Sequence, residues 1–298
     1  MKKPLLQLSS AIAVAALSAA CIILPHPGES PGWRTAPQPK TGTETGTETE
    51  TETGTGTEFQ KTIDFRAGGT LSLENDYGDV EIRGWDRDTV EVVARAAAGE
   101  SQTQRSARQY QVRTSAPDVE IRETDNGLLI RTRTFEGRGD PPEVDYEVRV
   151  PNSVILAGIR ISEGDLSVTD VFGRLKASLD QGDLEVDNYS GSVDVSVGTG
   201  NADVEVLDLR EEDSITISCR SGDIILRLEP GAGAIVEADA PRGRVRSDFD
   251  LGVEMPVPTL KAWIGEGGPA INLRASNGRI DIASIKDARR ITRAAEGK

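Results

Sequence analysis

The sequence predicts an all-β protein, a parallel β-solenoid with two short strands and about 18 residues in each coil. The first observation is composition: 31 residues are Gly and only 4% are aromatic, which favours short strands and tight turns over a helical bundle. The second is a strict alternation of apolar and polar residues after each repeated Gly, a pattern typical of half-buried strands. The third is the even spacing of these residues, Gly164, Gly173, Gly182, Gly191 and Gly200.

The full period of this repeat is twice the glycine spacing. The sixth residue after Gly is apolar at Leu179 and Val197, and it is polar in the intervening segments, at Asp170 and Asn188. Two strands and two turns therefore complete one coil. We expect each strand to pair in parallel with the strand about 18 residues later, about 4.8 Å away, and the outer surface of the sheet to be solvated.

The first 20 residues resemble a bacterial lipoprotein signal peptide. A short cationic segment is followed by an apolar stretch from Leu5 to Leu17 and by small residues that lead to Cys21. In that family the peptidase cleaves before the cysteine, so the resemblance implies that Cys21 becomes the lipidated first residue of the mature chain. Two alternatives remain, ordinary secretion with cleavage near Ala20 and an uncleaved anchor that continues through residues 22–24.

Residues 21–58 are predicted to form a disordered tether. The segment from Pro25 to Pro39 is rich in Pro and Gly, and a Thr-Gly and Thr-Glu repeat runs from Thr41 to Glu58. With no apolar residue between Ala36 and Phe59, this part has nothing to bury against the entropy of ordering. A flexible coil of this length spans roughly 30 Å, enough to hold a domain clear of lipid headgroups. The threonines permit glycosylation, although a plain spacer suffices.

Residues 59–287 are predicted to form the β domain, in which turns of Gly, Asp and Asn separate alternating strands. Where the alternation lapses, a short helix is predicted near residues 100–109, and residues 288–298 form a basic tail. Strand patterns before the repeat are Leu71–Arg83, Thr89–Val93, Val119–Arg122, Leu128–Thr134 and Val144–Val150. After the repeat, the same design continues less regularly at Ile215–Ser218, Ile224–Leu226, Ala234–Ala238, Gly243–Val245 and Asn277–Ile282.

These strands carry a resemblance to the bacterial putative-adhesin β-strand-repeat family, which is built on a domain of unknown function. The likeness covers roughly residues 59–285. It implies a right-handed, single-stranded β-solenoid of the toast-rack type on a surface or periplasmic protein, and it supplies no catalytic residues. The segments that carry it are Tyr146–Pro151, the Gly-led strands that begin at Gly164, Gly182 and Gly191, and the closing Asn277–Ile282.

Charge and composition exclude several classes of function. The net charge of -15 argues against nucleic acid as a partner, because phosphate binding needs a cationic surface. His26 is the only histidine and stands in the Pro-rich stretch, so histidine-based catalysis and histidine metal sites are excluded. Acidic pairs such as Glu211-Glu212 are typical of surface loops rather than of paired catalytic acids. We expect no enzymatic activity and no cofactor.

One acidic column deserves comparison with a metal site. If the coils stack in register, Asp165, Asp183 and Asp223 lie along one edge with Asn201 between them, and such a ladder of oxygen ligands could hold Ca²⁺. Gly-Asp is also the ordinary chemistry of a tight turn, in which the Asp side chain binds nearby backbone N–H groups. The second interpretation is preferred, so no metal is predicted.

The remaining side chains of interest are assigned to packing. Cys219 ends an alternating strand and is expected to be a small semi-buried thiol that serves packing, and a disulfide with Cys21 is not expected. Trp85 and Trp263 stand near turns and are expected to cap the core rather than to bind a ligand.

Together these features predict a lipid-anchored, extracytoplasmic β-solenoid that acts as a non-catalytic, adhesin-like interaction protein. Its partners would be the membrane, through the lipid on Cys21, and an unknown surface protein or glycan. The expected location is the outer membrane or cell surface of a bacterium, with a periplasm-facing position as the other possibility. A periplasmic structural or sensory module of an envelope-stress system is the alternative function, and a solenoid enzyme acting on polysaccharides is third.

Overall fold

The computed structural model describes residues 58–96, 117–124, 127–132 and 143–285. Most of these residues lie in β-strands, so the all-β prediction is confirmed. The signal peptide with Cys21, the tether, the helix predicted near residues 100–109 and the basic tail lie outside the described residues.

The described part of the chain forms one sheet of nineteen strands. Their bounds are β1 Glu58–Asp64, β2 Thr70–Tyr77, β3 Val80–Trp85, β4 Thr89–Ala96, β5 Val119–Thr124, β6 Gly127–Thr132, β7 Val144–Pro151, β8 Ser153–Glu163, β9 Leu166–Thr169, β10 Phe172–Gln181, β11 Leu184–Thr199, β12 Ala202–Asp208, β13 Ser214–Ser221, β14 Ile224–Leu228, β15 Ala234–Asp239, β16 Val245–Ser247, β17 Thr259–Ile264, β18 Ala270–Asn277 and β19 Ile280–Ser284.

Strand pairing divides this sheet into two walls that enclose a common core, and the long strand β11 belongs to both. The first wall runs in the order β1-β4-β7-β3-β9-β11-β12-β14-β19-β16. The second wall runs β5-β6-β2-β8-β10-β11-β13-β18-β15-β17.

In the middle of both walls the strands are parallel and follow the glycine repeat. Leu184 pairs with Leu166 on one side and with Ala202 on the other, each 18 residues away. The next step is longer, because Val193 pairs with Ile215, 22 residues on. The four additional residues lie between β12 and β13. The handedness of a solenoid and a uniform coil size stay predictions.

At both ends the order of strands in space departs from their order in the chain. The pair β2–β3 lies between β6–β7 and β8–β9. The pair β18–β19 lies between β13–β14 and β15–β16. The first and last complete coils are therefore internal, with neighbours on both sides. An internal coil is harder to peel off than a terminal one, because its removal breaks two ladders instead of one.

The expectation of a purely parallel sheet is wrong at these ends. Antiparallel pairing joins β1 to β4, β4 to β7, β5 to β6 and β15 to β17. Strands β5 and β6 are separated by only two residues, a connection too short for a parallel crossover. Reversed strands such as these terminate a stack with short edges of their own, which limits edge-to-edge aggregation.

The alternation seen in the sequence positions the core. Inward residues such as Leu175, Leu184 and Ile217 are fully or almost fully buried and belong to one cluster. Burial of a side chain of this size stabilises the fold by about 1.5–3 kcal/mol. Buried Asn75 is satisfied by three backbone acceptors, the carbonyls of Tyr77, Gly78 and Val144 at 2.9–3.1 Å.

Cys219, Trp85 and Trp263 test the packing predictions. Cys219 is a free thiol that packs in the core, as predicted, but it is fully rather than partly buried, and burial raises its pKa. Trp85 is half-buried and donates its indole N–H to the Thr89 carbonyl at 2.8 Å. The prediction that Trp263 caps the core is wrong, since its side chain is 68% exposed on the outer face of β17. Leu260 and Ile264 of the same strand point inward instead.

Candidate functional site

The repeated glycines form a column at one corner of the stack. Gly164, Gly182, Gly200 and Gly222 all have φ between 134° and 147°, a region that L side chains rarely adopt. A Cβ added at Gly182 would collide with the carbonyl oxygen of Gly164, and the same relation holds for each later member of the column. This corner is therefore closed to side chains by the backbone of the neighbouring coil.

The acidic residues that follow these glycines form the predicted ladder, and the structure brings them into register. Each carboxylate or amide oxygen accepts a hydrogen bond from the backbone N–H of the equivalent residue in the next coil. The bonds are Asp165 N–H to Asp79 Oδ1 at 2.8 Å, Asp183 N–H to Asp165 Oδ1 at 2.7 Å, Asn201 N–H to Asp183 Oδ1 at 2.7 Å, Asp223 N–H to Asn201 Oδ1 at 3.0 Å and Arg279 N–H to Asp223 Oδ1 at 2.7 Å.

These bonds favour the turn interpretation over the metal site. One oxygen of each acid is already aimed at a backbone donor, so it does not converge with its neighbours on a cation. At the end of the ladder, the Arg279 side chain donates to Asp223 Oδ2 and lowers the pKa of that carboxyl. Within the described ranges, no group of three or more His, Cys, Asp or Glu side chains could hold a metal ion.

The opposite corner of the stack is irregular. Asp170 and Asn188 have φ of 61° and 50°, so these non-glycine residues occupy the left-handed region, and Asn188 Nδ2 donates to Asp170 Oδ1. In the following coil the corresponding connection contains the four additional residues. We name residues 209–213, between β12 and β13, the insertion loop.

The insertion loop is fastened to β11 by one carboxylate. Asp213 Oδ2 accepts the Arg210 N–H at 2.9 Å, which closes the loop, and Asp213 Oδ1 accepts the Ser192 hydroxyl at 2.9 Å. Ser192 is itself buried, and its Oγ also accepts the Ser214 N–H at 3.3 Å. The loop is therefore held by hydrogen bonds at a defined position beside the second wall.

A cleft of about 830 Å³ lies between the insertion loop and the ends of β8, β10 and β11. This volume falls within the range of roughly 300–1,000 Å³ that is usual for small-ligand pockets. Gly173 and Gly191 are paired in register and contribute only backbone to the lining. The side chains that line the cleft include Ser153, Ile155, Phe172, Arg174, Asp208 and Arg210.

Strand register orders these side chains. One row crosses four adjacent strands, from Ser153 through Phe172 and Ser190 to Asp208. At about 4.8 Å per strand, the row is about 14 Å long. A second row begins with Ile155 and Arg174, which are direct neighbours on β8 and β10. The cleft is thus an elongated surface rather than a closed hole.

Exposure and charge distinguish this cleft from an ordinary surface depression. The apolar side chains of Phe172 and Ile155 are 45% and 37% exposed, respectively. The Arg174 side chain forms no hydrogen bond or ion pair with any other described residue, although its charge acts on the buried Tyr189. Arg210 lies 3.8 Å from Asp208, and both side chains are largely exposed, so this ion pair is weak. An aromatic face and polar groups with unused hydrogen-bonding capacity are features of a ligand site.

One family model matches almost the whole β domain. The model described as Toastrack DUF4097 matches residues 60–283, which include β2 to β18 and most of β1 and β19. This chain belongs to the Toastrack DUF4097 family. The assignment agrees with the two-walled stack of short strands and assigns no residue a role.

Solved structures similar to this Toastrack chain include a "putative cell adhesion protein" from Clostridium sporogenes, with 16% identity, a TM-score of 0.44 and coverage of 77% of this chain and 99% of that one. A "putative adhesin" from Bacteroides fragilis has 13% identity, a TM-score of 0.31 and coverage of 76% and 97%. A "putative lipid binding protein" from Parabacteroides distasonis has 9% identity, a TM-score of 0.22 and coverage of 78% and 98%. Because these TM-scores are all below 0.5, the family assignment rests on the match to the family model and not on these structures. No curated protein matches the chain.

Sequence reasoning did not identify the cleft of this Toastrack chain. Glu211-Glu212 was interpreted as a surface loop, and the loop is exposed, but its neighbours Asp208, Arg210 and Asp213 were not singled out. The available signal was the interruption of the nine-residue spacing after Val206, because insertions in repeat proteins form loops that are often on the binding face. Phe172 carried no such signal in the sequence.

The lipidation residue Cys21 stands outside the described residues, so its prediction is not tested. In the ranges that the structure describes, no helix is both long and apolar enough to cross a membrane.

Proposed function

We propose that this Toastrack chain is a non-catalytic, adhesin-like protein of the bacterial envelope that binds a partner through the cleft beside the insertion loop. The observation that carries the proposal is the combination of an exposed aromatic side chain, Phe172, and an arginine without a described partner, Arg174, in the cleft. Exposed aromatic side chains and arginines are enriched among residues that dominate binding energy.

The rigid support of the cleft favours binding. Both side chains stand on β10, whose neighbours β8 and β11 are paired to it along most of its length. A site on a packed strand is already ordered before a ligand arrives, so binding costs less conformational entropy than it would on a free loop. We further propose the right-handed, single-stranded solenoid geometry for this support, with coils of about 18 residues in its regular part.

The anchor is part of the same proposal. Cys21 would carry the lipid, and residues 21–58 would hold the domain away from the membrane at the outer membrane or cell surface. A lipid with two acyl chains anchors a protein stably, whereas a single chain does not. The tether would then allow the domain to contact a partner on another surface while the lipid stays in the membrane.

The absence of catalysis is proposed from the use of the acids. The ladder carboxylates are committed to backbone N–H groups, and Asp213 fastens the insertion loop. General acid-base catalysis needs a group with a freely exchangeable proton within reach of a substrate. Asp208 is exposed but stands beside Arg210 in an open cleft, where water is not excluded.

Fractionation of the bacterial host, together with intact-mass analysis, tests the anchor. The full chain is expected to lose residues 1–20, to gain lipid mass and to partition with membranes. The Cys21→Ser chain is expected to do none of these. If the two chains fractionate alike without lipid, the anchor is wrong and a secreted binding protein is the better account.

Retention on intact bacterial envelopes tests the binding function. Purified full chain is incubated with envelopes, which are then washed and probed for bound protein. Retention that Phe172→Ala removes and Trp263→Ala leaves intact supports the proposal. Copurification with a membrane partner of the same cell, without retention on envelopes, would instead favour the structural or sensory role in an envelope-stress system.

A further inference from the structure

The cleft beside the insertion loop also indicates the chemistry of its ligand. We infer that it binds a neutral saccharide, with Phe172 as the stacking platform and the polar groups around it as hydrogen-bonding partners. This inference rests on the proposed binding function and narrows its ligand class.

The position of Phe172 makes its ring available for stacking against a sugar. Its side chain is 45% exposed, yet its backbone lies in β10 and pairs with Ser153 on one side and Ser190 on the other. Neither neighbour is large enough to cover an aromatic ring. The face of an aromatic ring is electronegative and attracts polarised C–H bonds, which a pyranose presents on its less polar side. A flat, exposed ring flanked by hydroxyl groups therefore suits a sugar.

The polar groups of the cleft include both hydrogen-bond donors and acceptors. The side chains of Ser153 and Ser190 supply hydroxyls that both donate and accept, Arg174 and Arg210 supply donors, and Asp208 supplies acceptors. Vicinal sugar hydroxyls also donate and accept at once, so they can satisfy this mixed set. A ligand with acceptors only would leave the aspartate unsatisfied.

The balance of charges in the cleft lining favours a neutral ligand. Arg174 and Arg210 are matched by Asp208 and Asp213, so the lining has no net formal charge. The chain as a whole carries -15, which opposes the approach of a polyanion. An acidic polysaccharide would therefore meet a repulsive field and a site without excess cations. A neutral saccharide meets neither obstacle.

The same lining disfavours an acyl chain. Among the described residues that line the cleft, Phe172 and Ile155 are the only large apolar ones, and the others are polar or glycine. An acyl chain laid here would take Arg174, Arg210 and Asp208 out of water without offering them a hydrogen bond, which is unfavourable. The row from Ser153 to Asp208, about 14 Å long, instead fits an extended chain of sugar rings.

An array of immobilised neutral and acidic oligosaccharides tests the inference, with the purified full chain as the probe and calorimetric titration of any saccharide retained. We expect retention of at least one neutral oligosaccharide, with an affinity that changes less than about threefold between 0.05 and 0.5 M salt because no net charge is involved. Phe172→Ala should weaken binding at least tenfold, and Arg174→Ala several-fold.

Trp263→Ala is the matched control, because Trp263 is an exposed aromatic residue on the same wall but at its far edge. It should leave saccharide binding unchanged. All variants are compared by circular dichroism, so that loss of binding is not confused with loss of fold.

Three results would overturn the inference: no neutral saccharide is retained, only acidic saccharides bind and salt releases them, or Phe172→Ala binds as tightly as the unchanged chain. Retention on envelopes distinguishes these failures from failure of the proposed function. If the full chain binds envelopes through Phe172 but binds no saccharide, a protein or peptide partner occupies the cleft. If it does not bind envelopes either, the proposed function fails as well.

Discussion

The two corners of this stack differ although the same strands enter both. At the glycine corner, Gly164, Gly182, Gly200 and Gly222 repeat one conformation, and the acids or amide beside them repeat one hydrogen bond. At the opposite corner, the connections contain Asp170, then Asn188, then the insertion loop. Only the second corner borders the large cleft.

This difference shows how a repeat fold separates stability from recognition. At the glycine corner the backbones approach so closely that no side chain can be added, so its chemistry is fixed by geometry. At the opposite corner, Gly173 and Gly191 also approach the neighbouring backbone closely, but the connections between strands vary, and four residues are added after Val206 without breaking the strand ladders. Changes at the first corner should therefore alter stability, and changes at the second should alter binding.

The largest effect is expected from Gly182→Ala. The new Cβ would collide with the Gly164 carbonyl, and alanine is strained at φ 134°. We expect the free energy of unfolding in urea to fall by at least about 3 kcal/mol. Gly231→Ala is the control, since it has no neighbouring atom within 4 Å and no positive φ, and should change stability by less than about 1 kcal/mol. Equal losses in both variants would mean that the column does not constrain the fold.

A smaller effect is expected from Asp183→Ala. The variant removes the acceptor of the Asn201 N–H at 2.7 Å, and an exposed hydrogen bond of this kind is worth about 1 kcal/mol of unfolding free energy. Asp183→Asn keeps an amide oxygen at the same position, as Asn201 does naturally in the next coil. It should recover most of the loss. If Asn and Ala destabilise the fold equally, the ladder bond is not the source of the effect.

Acid titration of stability examines the end of the same ladder. Arg279 lowers the pKa of Asp223, so the folded state favours the charged carboxylate. This contribution is fully present above the unfolded pKa, near 3.9, and is lost as pH falls through the lower folded pKa. Asp223→Asn should therefore flatten the loss of unfolding free energy below about pH 4. Asp180→Asn is the control, because it removes a charge from an exposed residue outside the ladder. With this variant, the unfolding free energy should fall more steeply below about pH 4 than it does with Asp223→Asn.

The smallest effect on stability is expected from Phe172→Ala. Its side chain is exposed and belongs to the insertion corner, so the free energy of unfolding should change by less than about 0.5 kcal/mol. Thermal or urea unfolding of the full chain measures this directly. A loss above about 2 kcal/mol would place Phe172 in the structural framework and remove the contrast between the corners.

The regular centre of the fold could be predicted from the sequence, because its pattern is local. Alternation identified the buried face of each strand, and the glycine spacing predicted that Leu166, Leu184 and Ala202 share one row, which the register confirms. The Asp165–Asp183–Asn201–Asp223 column was predicted for the same reason.

The ends and the cleft could not be predicted in this way. Alternation specifies which side chains are buried but does not specify which strand lies beside which, so the internal positions of β2–β3 and β18–β19 were not foreseen. Trp263 was expected to cap the core because it stands near a turn, but Leu260 and Ile264 fill the inward positions of its strand. The cleft depends on side chains from four strands and one loop, which only tertiary structure brings together.

The central claim is that one corner maintains the fold and the other binds. Its most direct test measures the unfolding midpoint and envelope retention on the same preparations of the full chain, Asp183→Ala and Phe172→Ala. We predict a crossed result: Asp183→Ala lowers the midpoint and keeps retention, while Phe172→Ala keeps the midpoint and loses retention. If Phe172→Ala is retained as well as the unchanged chain, or if stability and retention fall together in both variants, the division between the corners is wrong.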